Sequence, residues 1–283
     1  MMVALSIFYY FCYVESNNTV MKNLLLALSF FALTAACSCE KIIPSGIETT
    51  QEFEIDGSYD ELLVSNAFDI CVSDQVSKIT ITADEVIMPK IEVKHVNSRL
   101  TIRVSPLTLS YLTDMKVLLP YNADLAKIDL SGACTFTSEY PISSSLVKIR
   151  LTGASGLFAD IDATDVEMNL IGASACKGNL VASNSLHLVA TGASSATLWG
   201  STDKLKLNLS GASNLTKQVV GEHYSFSCRE CDGALTGASN AYIHSDGSIV
   251  VKLTGASDLH YTGNASTSGS TTTGASNLIH DVL

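Results

Sequence analysis

The sequence predicts an all-β chain, a right-handed parallel β-helix (solenoid) of Gly-Ala-Ser rungs about 20 residues long, preceded by an N-terminal β portion. Three observations predict it. From Gly132 onward a Gly-Ala pair recurs eight times at a spacing near twenty, at Gly132, Gly153, Gly172, Gly192, Gly211, Gly237, Gly255 and Gly274, with one further pair, Gly233-Ala234, inside a repeat. Seven of the eight are Gly-Ala-Ser, and the first has Cys134 in place of Ser. Successive glycines are 21, 19, 20, 19, 26, 18 and 19 residues apart, the spacing of one small unit stacked on the next. Apolar residues lie two, four and six positions before the Gly, as in Val147, Ile149 and Leu151 or Leu205, Leu207 and Leu209, and another lies four after it, as in Leu157 and Leu215. Between them come Lys148, Arg150, Glu167, His187, Lys206, Asn208 and Lys252. This is period two, a strand with one dry and one wet face, and not the 3.6 of a helix.

One rung holds too few apolar side chains to offset the entropy of ordering it. Stacked about 4.8 Å above a copy of itself, it satisfies its backbone polar groups and lays Leu on Leu. Each buried Leu or Ile then contributes about 1.5–3 kcal/mol. Gly and Ala suit a corner or a close approach of backbones. Ser at the next position keeps the parity of the inward residues, which predicts a ladder of stacked hydroxyls, provided the strand does not bend at the Gly and turn it outward. The right hand follows the usual sense of parallel crossovers.

The elements before the repeats follow in order. Met21-Lys22-Asn23, an apolar run Leu24–Leu33 and Thr34-Ala35-Ala36-Cys37 form a secretory signal, too short to span a bilayer. Cys37 after small residues resembles a bacterial lipobox, although Thr34 stands where Leu is usual; the resemblance implies cleavage before Cys37 and lipid on it. Residues 1–20 have no place in such a signal and read as an over-long start, with translation beginning at Met21. The signal is then 21–36 and a polar tether 37–51. An N-terminal β portion, 52–120, carries short alternating stretches such as Phe68–Val72 and Leu100–Val104, with a hairpin turn at Val96-Asn97-Ser98-Arg99. Asp84–Ile91 alone has helical character. The repeats occupy 121–283.

Asn66-Ala67-Phe68-Asp69-Ile70-Cys71-Val72, Ile79-Thr80-Ile81-Thr82-Ala83-Asp84, Leu100-Thr101-Ile102, the train of Gly-Ala-Ser units and the ending Leu259-His260-Tyr261-Thr262-Gly263 together resemble the head GIN domain of auto-transporter adhesins. That family occurs in secreted and lipid-anchored proteins of Bacteroides-like bacteria. The resemblance covers about residues 52–283 and implies a surface protein; it brings no catalytic residues. A net charge of −11 with no basic stripe argues against nucleic acid as partner.

Several constellations invite chemistry. Cys228-Arg229-Glu230-Cys231 falls in the one 26-residue step. A redox dithiol wants a helix N-terminus, and a zinc site wants four ligands where His223, Cys228 and Cys231 supply three. The favoured reading is a disulfide, or two small buried thiols, pinning an over-long corner. Cys134 and Cys176 read as small apolar fillers, and Cys39 and Cys71 have no identifiable partner. Asp160, Asp162 and Asp165 lack the recurrence on neighbouring rungs that a calcium-dependent lyase requires, so they read as a solvated corner. His244, His260 and His280 follow successive triplets and read as wet-face residues. Trp199, Tyr242 and Tyr261 are candidates for stacking on sugars or for corner packing. No cofactor, metal or catalytic site is expected. The functional expectation is a non-catalytic outer-membrane lipoprotein that binds a glycan or surface protein; the alternative is a periplasm-facing structural or envelope-maintenance lipoprotein. The last rung ends in a bare strand edge, where two molecules could meet end to end in a homodimer.

Overall fold

The structure is a computed structural model that describes residues 43–105, 114–220, 222–224 and 226–281, with the side chains of 218–225 left aside. The start at Met21, the signal, Cys37 and Cys39 lie outside the described residues. From Ile42 onward the chain forms one compact unit. It is all β, apart from a 3-10 turn at Met88–Lys90 where the sequence had suggested helix.

Parallel coils stack through the repeats in the register that the glycine spacing predicts. Ile142–Gly153 pairs with Ile161–Gly172, which pairs with Ala175–Gly192, then Ser195–Gly211, then Phe226–Gly237, Ser248–Gly255 and Thr271–Gly274. Every Gly lies beside the next: Gly153 opposes Gly172, and Gly172 opposes Gly192. The apolar columns two, four and six residues before the Gly are buried; Leu151, Leu170, Leu188, Leu207 and Leu253 are solvent-free. One continuous apolar core runs from Tyr59 to Leu259. Unequal steps are absorbed locally. The 20-residue step to Gly192 places its extra residue in a bulge where Ala163/Asp165 face Ala182/Ser185. In the 26-residue step, Gln218–Val220 and Glu222–Tyr224 form a separate antiparallel hairpin.

The corner after each strand is closed by backbone chemistry. The repeat glycines all have positive φ, between 80° and 93°, a region that side chains with a Cβ avoid. Each following Ala N–H donates to the preceding rung's Gly carbonyl at 2.7 Å, as Ala173 does to Gly153 and Ala193 to Gly172. A Cβ on Gly192 would lie 2.6 Å from the Gly172 oxygen. The bend does not turn the serines outward: Ser155, Ser174, Ser194, Ser213, Ser239 and Ser257 are all buried. Their hydroxyls do not form the expected ladder with one another. Each instead donates to the carbonyl three residues back in its own turn, at 2.9 Å from Ser194 Oγ to Thr191 and from Ser213 Oγ to Ser210. Cys134 Sγ reaches the Ser131 carbonyl in the same way at 3.3 Å.

The N-terminal portion supplies both rungs and a cap. Glu61–Asn66 pairs in parallel with Lys127–Gly132, and Asn66 opposes Gly132. Asn66 takes the glycine's conformation (φ 92°), and the Ala133 N–H donates to its carbonyl at 2.7 Å. Leu62, Val64, Phe68 and Ile70 occupy the buried columns, so Asn66-Ala67-Phe68 is a disguised Gly-Ala-Ser. Beyond it, Arg99–Val104 and Met115–Pro120 form one more parallel layer. Antiparallel strands then close the end: Ile91–Val96, joined to Arg99–Val104 through the expected turn at Asn97, and Ile79–Asp84 with Glu48–Phe53. A loop over 121–126 then leads from Pro120 into Lys127–Gly132, whose pairing with Glu61–Asn66 joins this portion to the repeats.

Candidate functional site

Two outward flanks are presented by this stack, one before and one after the Gly turn. On the first, residues seven and five positions before each Gly stand side by side: Ser185, Lys204 and Glu230 in one row, His187, Lys206 and Asp232 in the next. Glu230 and Asp232 pass the rows on to Ser248 and Val250. An open concavity of about 340 Å³ lies here, lined by His187, Lys204, Lys206, Glu230, Asp232 and Val250 among others. Its origin is in the long rung. Where neighbouring rungs insert Leu207 and Val251 into the core, this rung has Gly233. Gly233 has φ +144°, and a Cβ on it would lie 1.9 Å from the Leu207 carbonyl oxygen. The outward neighbours Asp232 and Ala234 are short, so the flank sinks over this rung.

Charges on this flank divide into satisfied and free. Lys148 pairs with Glu167 at 2.8 Å and Arg150 with Asp129 at 3.4 Å. Arg229 holds Asp203 at the adjoining corner, Nη2 to Oδ2 2.9 Å, and also pairs with Glu230. That guanidinium keeps the Asp203 carboxyl below its ordinary pKa. Lys204 and Lys206 make no ion pair among the described residues, although Glu230 and Asp232 are their partners in register.

The second flank is knitted together. Asn240 Nδ2 donates to Asn214 Oδ1 at 3.3 Å and Asn277 Nδ2 to Asp258 Oδ1 at 2.8 Å. Tyr242 and His260 stack at 4.7 Å between centroids, with Lys217 Nζ 5.4 Å from the Tyr242 ring centre. His260 also meets Asp281 at 3.2 Å, and His244 meets Thr262 at 2.9 Å. The Tyr242 ring is thus engaged by His260 and Lys217, and the imidazole edges of His260 and His244 by Asp281 and Thr262. His280 does not join this flank; from the last strand it stacks on Tyr261 of the rung before, at 4.7 Å and 7°. Trp199 is half-buried.

Cys228 and Cys231 both point inward across the corner and are free thiols in this structure. A hydrogen bond with Cys228 and burial push the Cys231 thiol well up, so Cys231 is not poised as a thiolate. Cys134 and Cys176 are buried, and burial raises them to about 11 and about 12. Asp160 Oδ1 accepts the Asn179 N–H at 2.8 Å, while Asp165 accepts Asn184 at 2.7 Å and the Ser185 hydroxyl. These carboxylates tie rung to rung. Among the described residues no three His, Cys, Asp or Glu side chains are placed to hold a metal ion, and no helix is long and apolar enough to cross a membrane.

A family model described as "Putative auto-transporter adhesin, head GIN domain" matches residues 58–265. The chain belongs to this family. No curated protein matches it. A solved "putative adhesin" from Parabacteroides merdae ATCC 43184 has a TM-score of 0.75 at 15% identity, covering 86% of this chain and 99% of that one. A "putative adhesin" from Parabacteroides distasonis ATCC 8503 gives 0.70 at 16%, covering 86% and 98%. A "putative lipid binding protein" from the same organism gives 0.66 at 16%, covering 86% and 100%. At these identities the likeness is one of fold. The head GIN domain here is the β-solenoid itself, and the names these relatives carry are those of adhesins and of a lipid binding protein, not of enzymes.

The sequence had placed its candidate aromatics and histidines on the second flank and left the first unremarked. A signal for the first existed. Lys206 and Asp232 stand five residues before their glycines, Lys204 and Glu230 seven before, and Gly233 interrupts an apolar column.

Proposed function

We propose that this head GIN protein is a non-catalytic adhesin of the outer membrane, anchored by lipid on Cys37 after removal of a signal at 21–36, with the tether of 37–51 shortened at its end, where Glu48–Phe53 is already a paired strand. Residues 52–120 then cap and begin the solenoid, and 121–283 display it. The observation that carries the binding role is the open concavity of about 340 Å³ on the first flank, where Lys204, Lys206 and Asp232 form no ion pair among the described residues. A stacked, rigid sheet holds such groups in place without the ordering cost that a loop would meet on binding. The ligand is a glycan or a surface protein.

Protease shaving of intact cells tests the display. With a C-terminal tag and a periplasmic control protein, loss of the tag while the control survives is expected. Full protection would instead support the second reading, a periplasm-facing structural lipoprotein. That reading is favoured by the second flank, whose side chains bond chiefly to one another.

A further inference from the structure

The concavity on the first flank has a chemistry that narrows its ligand. On a chain of net charge −11, Lys204 and Lys206 form no ion pair among the described residues, and Asp203, which feels the Lys204 charge, is itself held by Arg229. Both lysines stand beside His187, whose ring nitrogen Nε2 lies 3.4 Å from Asn208 Nδ2. Facing them are Glu230 and Asp232, acceptors without donors of their own beyond the Arg229 contact to Glu230. Val250, 45% exposed, offers the apolar surface. One wall thus suits a carboxylate and the other suits hydroxyl donors, with a small apolar patch between them.

The backbone excludes an extended peptide as the simplest occupant. Peptides that dock on sheets do so by adding a strand to a free edge. Here Ser195–Gly211 and Phe226–Gly237 are paired on both sides, so recognition must pass through side chains alone. A cavity of 340 Å³ lies at the low end of the roughly 300–1,000 Å³ of small-molecule sites, the size of a short segment.

We propose that this concavity binds an acidic oligosaccharide, its carboxylate between Lys204 and Lys206 and its hydroxyls on Glu230 and Asp232. The proposal rests on the adhesin reading and names its ligand class. The test is calorimetric titration of the full chain with tetragalacturonate, a chondroitin tetrasaccharide and sialyllactose, with methyl-esterified tetragalacturonate and hexaglutamate as comparisons. At least one acidic oligosaccharide is expected to bind. Wherever tetragalacturonate binds, its methyl ester should bind about tenfold or more weakly, because esterification removes the charge. The double variant Lys204→Gln/Lys206→Gln should lose about tenfold or more toward the bound oligosaccharide, while Lys177→Gln on the other flank leaves it unchanged. These are exposed or half-exposed side chains, and an unchanged circular dichroism spectrum confirms that the variants fold.

No binding to any of the three acidic oligosaccharides overturns the proposal. So does equal binding by hexaglutamate, or binding that the double variant leaves intact. Any of these results, found on cells whose solenoid is shaved from outside, sinks the ligand class and leaves the adhesin standing. Protection from the protease sinks the adhesin reading independently.

Discussion

At the position two residues after the repeat Gly, a hydroxyl or thiol has one task, to satisfy a carbonyl inside a turn the solvent cannot reach. Ser194 Oγ serves the Thr191 carbonyl at 2.9 Å, and Ser194 is fully buried. Ser194→Ala leaves that acceptor unpaired and should cost about 1–3 kcal/mol in a urea unfolding series. Ser194→Cys should cost less, because Cys134 performs the same contact in an earlier rung. Gly192→Ala should be worse than either. The left-handed conformation alone costs a residue with a Cβ about 1–2 kcal/mol, and the overlap with the Gly172 oxygen adds to it. Cys176 gives a pH signature. Burial raises its pKa from 9.0 to about 12, so the folded chain keeps the proton that the unfolded chain releases. Its contribution is therefore complete below about pH 9 and is lost as pH rises toward 12. Cys176→Ala, matching Ala196 in the next rung, should flatten the alkaline fall in stability. Parallel falls in both proteins would remove Cys176 as its cause.

The strand elements of the repeats were legible because their pattern is local: two, four and six residues before a Gly. What hid the earlier rung was substitution of two of the three markers, since Asn66 adopts the left-handed turn and Phe68 fills the place of the serine, leaving only Ala67. The order of layers at that end was not legible at all. Arg99–Val104 pairs outside Glu61–Asn66, which comes before it in the chain, and no local pattern distinguishes a parallel from an antiparallel neighbour. The first flank was overlooked because its signal is a relation between rungs, Lys206 against Asp232, and not a motif within one. The corner at Cys228 and Cys231 belongs to this scale too. We propose that the pair is oxidised in the envelope, since both thiols face inward and hydrogen-bond to each other. So short a loop would gain about 2 kcal/mol on the chain-entropy model. Mass spectrometry of the exported protein, alkylated in denaturant without reductant, should find neither thiol modified. Full alkylation of both would leave Arg229, clamped on Asp203, as the sole pin of that corner.

A solenoid must end somewhere, and the two ends of this molecule are finished differently. The N-terminal end turns its last layers antiparallel, with Glu48–Phe53 and its charged side chains outermost. At the other end, Thr271–Gly274 and Asn277–His280 pair on one side only among the described residues. The Tyr261–His280 stack and the buried Ser276 cover part of the core there, but Leu278 stays half-exposed and the strand edge is unpaired among the described residues. A bare edge of parallel strands is a template for another strand, and two copies meeting there by a twofold axis would close on themselves without growing into a fibre. We propose such an end-to-end homodimer. Light scattering coupled to size exclusion should then show a mass that doubles with concentration. Ile279→Lys, placing a charge on the outward side of that edge, should return the monomer while leaving Lys204 and Lys206, which lie on the other flank, and their binding unchanged. A monomer at every concentration would mean that the stack and the polar threonine edge are cap enough. If the dimer forms, each assembly carries two copies of the concavity, and attachment to a repeating glycan would gain avidity from geometry already present in the fold.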